Sequence, residues 1–174
     1  MRFPHLSLIA AAAALATAAL GAAHAQDEED AAPAPASEEE ILEADMAFTQ
    51  ECLDTLALRG APAHVCLGIV ARQCASEAED ETTTGAAVCE AREAAAWAGL
   101  LDAVAGELEA AMPNARREDF RDAQSKWADF RDAECAYEAA AYRSEVEIEA
   151  SRAACVKRLT ANRVIALNAP AEER

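Results

Sequence analysis

Histidine is almost missing from this chain. Three occur in 174 residues, and His5 and His24 fall in an N-terminal stretch with the marks of a cleavable export signal. That leaves His64 to serve any Ser-His-Asp or Cys-His machine. It follows Pro62 near a helix start, where solvent exposure or a capping contact is the plain expectation. Glycine-rich phosphate loops are absent. No C-x-x-C occurs, which removes a thioredoxin-type redox pair, and no C-x-x-C-H occurs, which removes covalent haem attachment. The spacing of Cys66, Cys74 and the lone His64 does not supply a zinc site. No cofactor and no metal are therefore expected. Carboxylates are abundant, so counting does not exclude a glycosidase-like pair. That mechanism needs one carboxyl of raised pKa in an apolar cleft, and aromatic residues make up only 5% of the chain. Catalysis is not expected.

Basic charge is also short. Lys126 and Lys157 are the only lysines. Loss of Arg2 with the signal leaves 14 basic against 32 acidic residues, a net charge of −18. A field of that sign repels nucleic acid and anionic lipid, and it attracts cationic proteins or metal cations. The plainer reading of the same acidity is solubility.

The signal is built in the usual order. Arg2 gives the positive start, Leu6 to Leu20 is apolar, and Ala23-His24-Ala25 is a small-x-small cleavage site before Gln26. The apolar run is short of the ~20 residues of a membrane span, which disfavours an uncleaved anchor. The expected layout is a signal peptide at 1–25, an acidic Ala/Pro lead-in at 26–37, a helical domain at 38–169 and a tail at 170–174. No membrane insertion is expected after cleavage, and the compartment is periplasmic or extracellular.

β-Branched residues are few and no segment alternates, so strands are not expected. Ser37-Glu38-Glu39-Glu40 has the form of a capping box. Leu42, Met46, Thr49, Leu53 and Leu56 follow at helical steps until Gly60-Ala61-Pro62. A short helix is expected over 63–76 and a loop over 77–85, ending at Gly85. A longer helix runs to Met112 with Trp97, Leu101, Val104 and Leu108 on one face. After Pro113-Asn114 the next helix spans about Arg117 to Tyr142, with Phe120, Ala123, Trp127, Phe130, Tyr137 and Ala141 as its buried stripe. Its partner starts near Ser144 and carries Ile148, Cys155, Leu159 and Ala166 or Leu167. The fold class is all-α, a small disulfide-stapled bundle of antiparallel helical hairpins. Many core positions are alanine, which favours helix but buries little surface.

What is present in number is cysteine. Cys52, Cys66, Cys74, Cys89, Cys135 and Cys155 all follow the signal, and an even count in an oxidising compartment reads as three disulfides. Six cysteines allow 15 pairings, which sequence alone does not separate. Hairpin geometry favours 52–66 across the Gly60–Pro62 break, 74–89 across the loop and 135–155 across a turn near Ser144.

Gln124-Ser125-Lys126-Trp127-Ala128-Asp129-Phe130-Arg131-Asp132-Ala133-Glu134-Cys135 resembles the pattern Q-x-x-W-x-x-[FY]-R-D-x-x-C. Cys155, Leu159, Thr160, Arg163 and Leu167 resemble its second half. Both halves are those of the lysozyme-inhibitor LprI-like domain family of exported bacterial proteins. Cys89, Glu93, Trp97 and Leu101 are similar to an upstream helix of the same family. The resemblance covers roughly 50–168. The chain departs from it at Ala98, Asp102 and Ala105, where the family pattern has Asp, Asn and Tyr.

The resemblance implies an exported, disulfide-stapled helical domain, with lysozyme inhibition for some members. Lysozyme or another cationic protein is then the expected partner, and a non-inhibitory envelope scaffold is the alternative. Trp97, Gln124, Trp127, Arg131, Asp132, Thr160 and Arg163 are the motif positions expected to act structurally or on a partner. Core packing is the first expectation for Trp127 and Phe130, and a partner anchor the second. Arg131 is expected to pair with Glu134 or across the hairpin, and Arg163 with Asp132 or Asp129. Thr160 is expected to cap or to bond back to a helix carbonyl.

Overall fold

The computed structural model describes residues 36–77 and 83–169. The signal, most of the acidic lead-in, the middle of the 77–85 loop and the C-terminal tail lie outside the described residues. Helix α1 spans Glu38–Leu58, α2 Ile69–Glu77, α3 Thr83–Ala111, α4 Asn114–Ala139 and α5 Glu145–Asn168, with a 3₁₀ turn at Ala63–Cys66. No strand occurs among the described residues.

Local chemistry starts and stops these helices. Ser37 Oγ accepts from the Glu40 N–H at 3.2 Å, and the Ser37 N–H donates to Glu40 Oε2 at 2.8 Å, so the capping box forms as its sequence predicts. Ser144 caps α5 in a similar way, accepting from the Glu147 N–H at 3.3 Å. Pro113, held at φ −59°, opens α4, which therefore begins at Asn114. It ends at Ala139 because residues 140–143 are needed to turn the chain into the Ser144 cap. The single short helix expected over 63–76 is two pieces. Gly68, at φ +85°, separates the 3₁₀ turn from α2 in a conformation that a side chain would strain. The expected loop also ends early, and Gly85 lies inside α3.

α3 is the central rod. Its largest interface is with α5, and α1 and α2 pack on other parts of its surface. The core joins Cys66, Trp97, Leu100, Leu101, Val104, Ala161, Val164 and Leu167. Ala96 and Ala161 are fully buried, and such small side chains let the helices approach closely. Gly99 serves the same end, because a Cβ there would overlap the Met46 thioether of α1. Asp45 and Thr49 form the buried polar edge of α1. Arg92 of α3 grips both Asp45 oxygens at 2.6 and 2.8 Å, and the Thr49 hydroxyl donates to the Asp45 carbonyl at 2.8 Å. On the far side Lys157 of α5 meets Glu90 of α3 at 2.6 Å.

α4 leans on α5 and makes no comparable interface with another helix. Its buried side is not the expected stripe. Cys135 and Ala139 are buried and Phe120 and Trp127 half-buried, whereas Ala123, Phe130, Tyr137 and Ala141 are exposed. The rotation follows from the disulfide. Cys135 must face α5, and Phe130, five residues earlier, lies about 140° round the helix from it at 100° per residue. On α5, Leu167 is the buried residue of its pair and Ala166 is exposed.

Among the described residues, six alanines and five cysteines, against one tryptophan, three leucines and three valines, make up the buried apolar side chains, so large-residue burial is modest. Covalent links stand in for it. The bonds are Cys52–Cys66, Cys74–Cys89 and Cys135–Cys155, with sequence separations of 14, 15 and 20, and they are the pairs favoured by hairpin geometry. In the chain-entropy picture each is worth about 3 kcal/mol. Replacing both Cys135 and Cys155 by alanine should lower unfolding stability by about that amount. Urea denaturation of variant and parent, both oxidised, checks it, with peptide mapping to confirm the two remaining bonds.

Candidate functional site

Two clusters carry the motif residues, and they do different things. The first lies on α3, where Cys89, Glu93, Trp97 and Leu101 recur every fourth residue and so share one face. Cys89 bonds Cys74 of α2. Glu93 has no solvent exposure. Its carboxylate accepts from the Gly68 N–H at 2.6 Å, the Ala71 N–H at 2.8 Å and the Trp97 indole N–H at 3.1 Å. Helix α2 has no Ser, Thr, Asp or Asn at its start, and the segment reads Val65-Cys66-Leu67-Gly68-Ile69. Its orphan amides are satisfied by a carboxylate 25 and 22 residues away. The same carboxylate fixes the indole of Trp97, itself fully buried. This cluster holds the molecule together.

The second cluster joins α4 and α5. The guanidinium of Arg131 lies 5.3 Å from the centre of the Trp127 ring and that of Arg163 lies 5.8 Å from it. Gln124, one turn before Trp127, accepts from Arg163 Nε at 2.9 Å and also from its Nη2. The ion pairs expected of the arginines are different here. Arg131 pairs with the adjacent Asp132 at 2.7 Å, not with Glu134 or across the hairpin. Arg163 takes the neutral Gln124, while Asp129 is exposed and Asp132 is paired with Arg131. Burial away from water lowers the Arg163 pKa from the usual guanidinium range. Thr160 is fully buried and its hydroxyl has no hydrogen-bond partner among the described residues, so the expected bond to a helix carbonyl is not formed. His64 is exposed in the 3₁₀ turn, as expected.

Because α4 packs on α5 and stands off α3, a groove of about 530 Å³ opens between α3 and α4. Leu101, Phe120, Gln124 and Trp127 line it. A second hollow of about 520 Å³ continues past Phe120 to Met112, Arg116 and Arg163. Two departures from the family pattern, Asp102 and Ala105, stand on the α3 wall of the groove. Where the pattern has tyrosine, Ala105 leaves that wall bare. Ala98 is half-buried one turn earlier. Glu109 of α3 forms an ion pair with Arg121 of α4 across the groove mouth. The hydrogen bonds from Arg121 hold the Glu109 carboxyl below its usual pKa of 4.5.

These helices and cysteine-anchored motifs define a disulfide-stapled, all-helical domain. The profile of the family described as Lysozyme inhibitor LprI matches residues 74–167, more than half of the chain, and the protein belongs to that family. The match starts at Cys74. It therefore leaves out α1 and the Cys52–Cys66 bond, which the sequence resemblance from about residue 50 includes. No curated protein and no solved structure matched the chain.

Two measurements follow from this geometry. Glu93→Gln keeps one acceptor oxygen but sets its NH2 against at least one of the three donors, and should cost about 2–3 kcal/mol of stability, read by denaturant melting. Glu109 has a lowered folded pKa. Its contribution is therefore present above the ordinary carboxylate value and is lost as pH falls through the lowered one. An NMR titration should place the Glu109 midpoint below 4.5, and Arg121→Gln should move it back toward 4.5.

Proposed function

We propose that the protein is exported through cleavage of residues 1–25 and works in the periplasm or outside the cell. There it acts as an acidic, non-catalytic binding protein that docks on lysozyme or a similarly basic hydrolase and inhibits it. The observation that carries this reading is membership of the Lysozyme inhibitor LprI family over residues 74–167. Net charge supports the choice of partner. A chain left at −18 after signal removal attracts a cationic enzyme, speeding encounter and orienting it. Among the described residues no helix is long and apolar enough to cross a membrane.

A docking inhibitor needs no reacting groups, only a rigid surface. The groove supports that assignment over a carboxylate mechanism. Its acidic lining residues are Asp102, which is exposed, and Glu109, which is tied to Arg121. Neither is withdrawn from water into an apolar cleft with a second carboxylate facing it. One observation favours a second reading, a non-inhibitory envelope scaffold. Ala98, Asp102 and Ala105 replace the family pattern's Asp, Asn and Tyr along α3, the last two on the groove wall. If those side chains make the inhibitory contact, binding to an enzyme is lost while the stapled body survives.

Turbidity assays of cell-wall lysis decide between them. Purified oxidised protein should slow lysis by egg-white lysozyme at about 0.01 M salt. The effect should weaken at about 0.15 M, as the screening length falls from about 30 Å to about 8 Å. Full lytic activity at low salt with several lysozymes would favour the scaffold.

A further inference from the structure

Among the described residues, helix α4 is a long rod with one extensive packing partner. It rests on α5 along the side of Gln124, Arg131 and Cys135, and its opposite side meets no other helix. That side is not a solvated polar face. Phe130 is 55% and Tyr137 78% exposed, and no other aromatic residue among the described residues of this helix and the following turn reaches half exposure. Seven residues apart, the two rings lie within about 20° of each other on the helix surface. Exposed Ala123 and Ala133 flank them and keep the strip low. Exposed large aromatics are costly to leave in water and are the usual anchors of a protein contact.

The border of the strip names its partner. Asp119 and Asp129 are exposed and have no ion-pair partner among the described residues. Lys126, beside Phe130, is neutralised by Asp122 at 2.6 Å. The strip is thus apolar at the centre and anionic at the edge. A second copy of the chain would bring like charge against like, at −18 per molecule. A cationic protein meets the border with opposite charge and the rings with apolar surface.

We propose that the outward face of α4, centred on Phe130 and Tyr137 and bordered by Asp119 and Asp129, is the surface that docks on lysozyme. This rests on the inhibitory reading above and adds to it the site of contact. The rings supply the buried area, and the carboxylates orient the basic enzyme as it approaches. The groove beside Trp127, on another side of α4, then remains outside the contact.

The test uses the full oxidised chain without its signal, with egg-white lysozyme as the probe, in binding and lysis assays at low salt. Phe130→Ala with Tyr137→Ala should weaken binding by about 100-fold. Asp119→Asn with Asp129→Asn should slow association several-fold and flatten its salt dependence, with a smaller effect on dissociation. All four side chains lie on the surface, and helical circular dichroism with a count of free thiols confirms that each variant is folded. Leu58, 91% exposed on α1, is the control, and Leu58→Ala should bind like the parent. If the parent binds and the aromatic double variant binds equally well, or Leu58→Ala loses as much, this surface is wrong and the inhibitory reading stands. If the parent itself fails to bind any lysozyme at low salt, both fall.

Discussion

Glu93 is the residue on which the arrangement of the N-terminal half turns. One carboxylate, withdrawn from water, takes the first amides of α2 and the indole of Trp97 at once. The start of α2 is thereby fixed against α3, which sets Cys74 beside Cys89 and leaves Cys66 within the core next to Trp97. An unpaired carboxylate in that position would be heavily penalised, and so would two orphan amides without it. The polar network and the sulfur bonds therefore support the same few contacts. This matters in a body whose interior is rich in alanine and cysteine, where large side chains add little buried area.

The C-terminal half is organised differently. There the bond between Cys135 and Cys155 and the stack of Arg131, Trp127 and Arg163 hold α4 to α5. Glu138 adds an ion pair with Arg158 at 2.5 Å. Among the described residues α4 is tied to α3 by less, the Arg121–Glu109 ion pair and the Arg117 hydrogen bond to the Ala110 carbonyl, and the groove lies between the two helices. The family's motif residues are thus divided between an interior fastening on α3 and a half-exposed fastening on α4 and α5. Most of them act on the chain itself. That separation directs attention away from the motif and toward the neighbouring aromatic surface as the part free to meet another molecule.

Much of this was legible in the sequence where the interactions are local. The Ser37 box, the helix breaks near Pro62 and Pro113 and the three bonds between successive cysteines all depend on residues at most 20 apart along the chain. What was not legible was non-local or depended on rotation about a helix axis. The aromatic residues of α4 have helical spacing and read as a core stripe, but the sequence does not say which face is covered. Cys135 decides that, and it turns Phe130 and Tyr137 outward. The role of Glu93 was hidden for another reason: its partners are backbone amides far along the chain, which leave no mark on residue type. The one available signal was negative, a helix start at Gly68–Ile69 with no capping residue of its own. Arg163 likewise chose an uncharged amide over nearby aspartates, a choice set by the side of α4 on which each stands.

The order of the sulfur bonds has a further consequence. Each cysteine is joined to its immediate neighbour in the chain, first to second, third to fourth and fifth to sixth. A polypeptide delivered into an oxidant N-terminus first presents every thiol to its native mate before the next pair arrives. Strictly sequential closure of these pairs reaches the native topology with no wrongly joined species to unscramble.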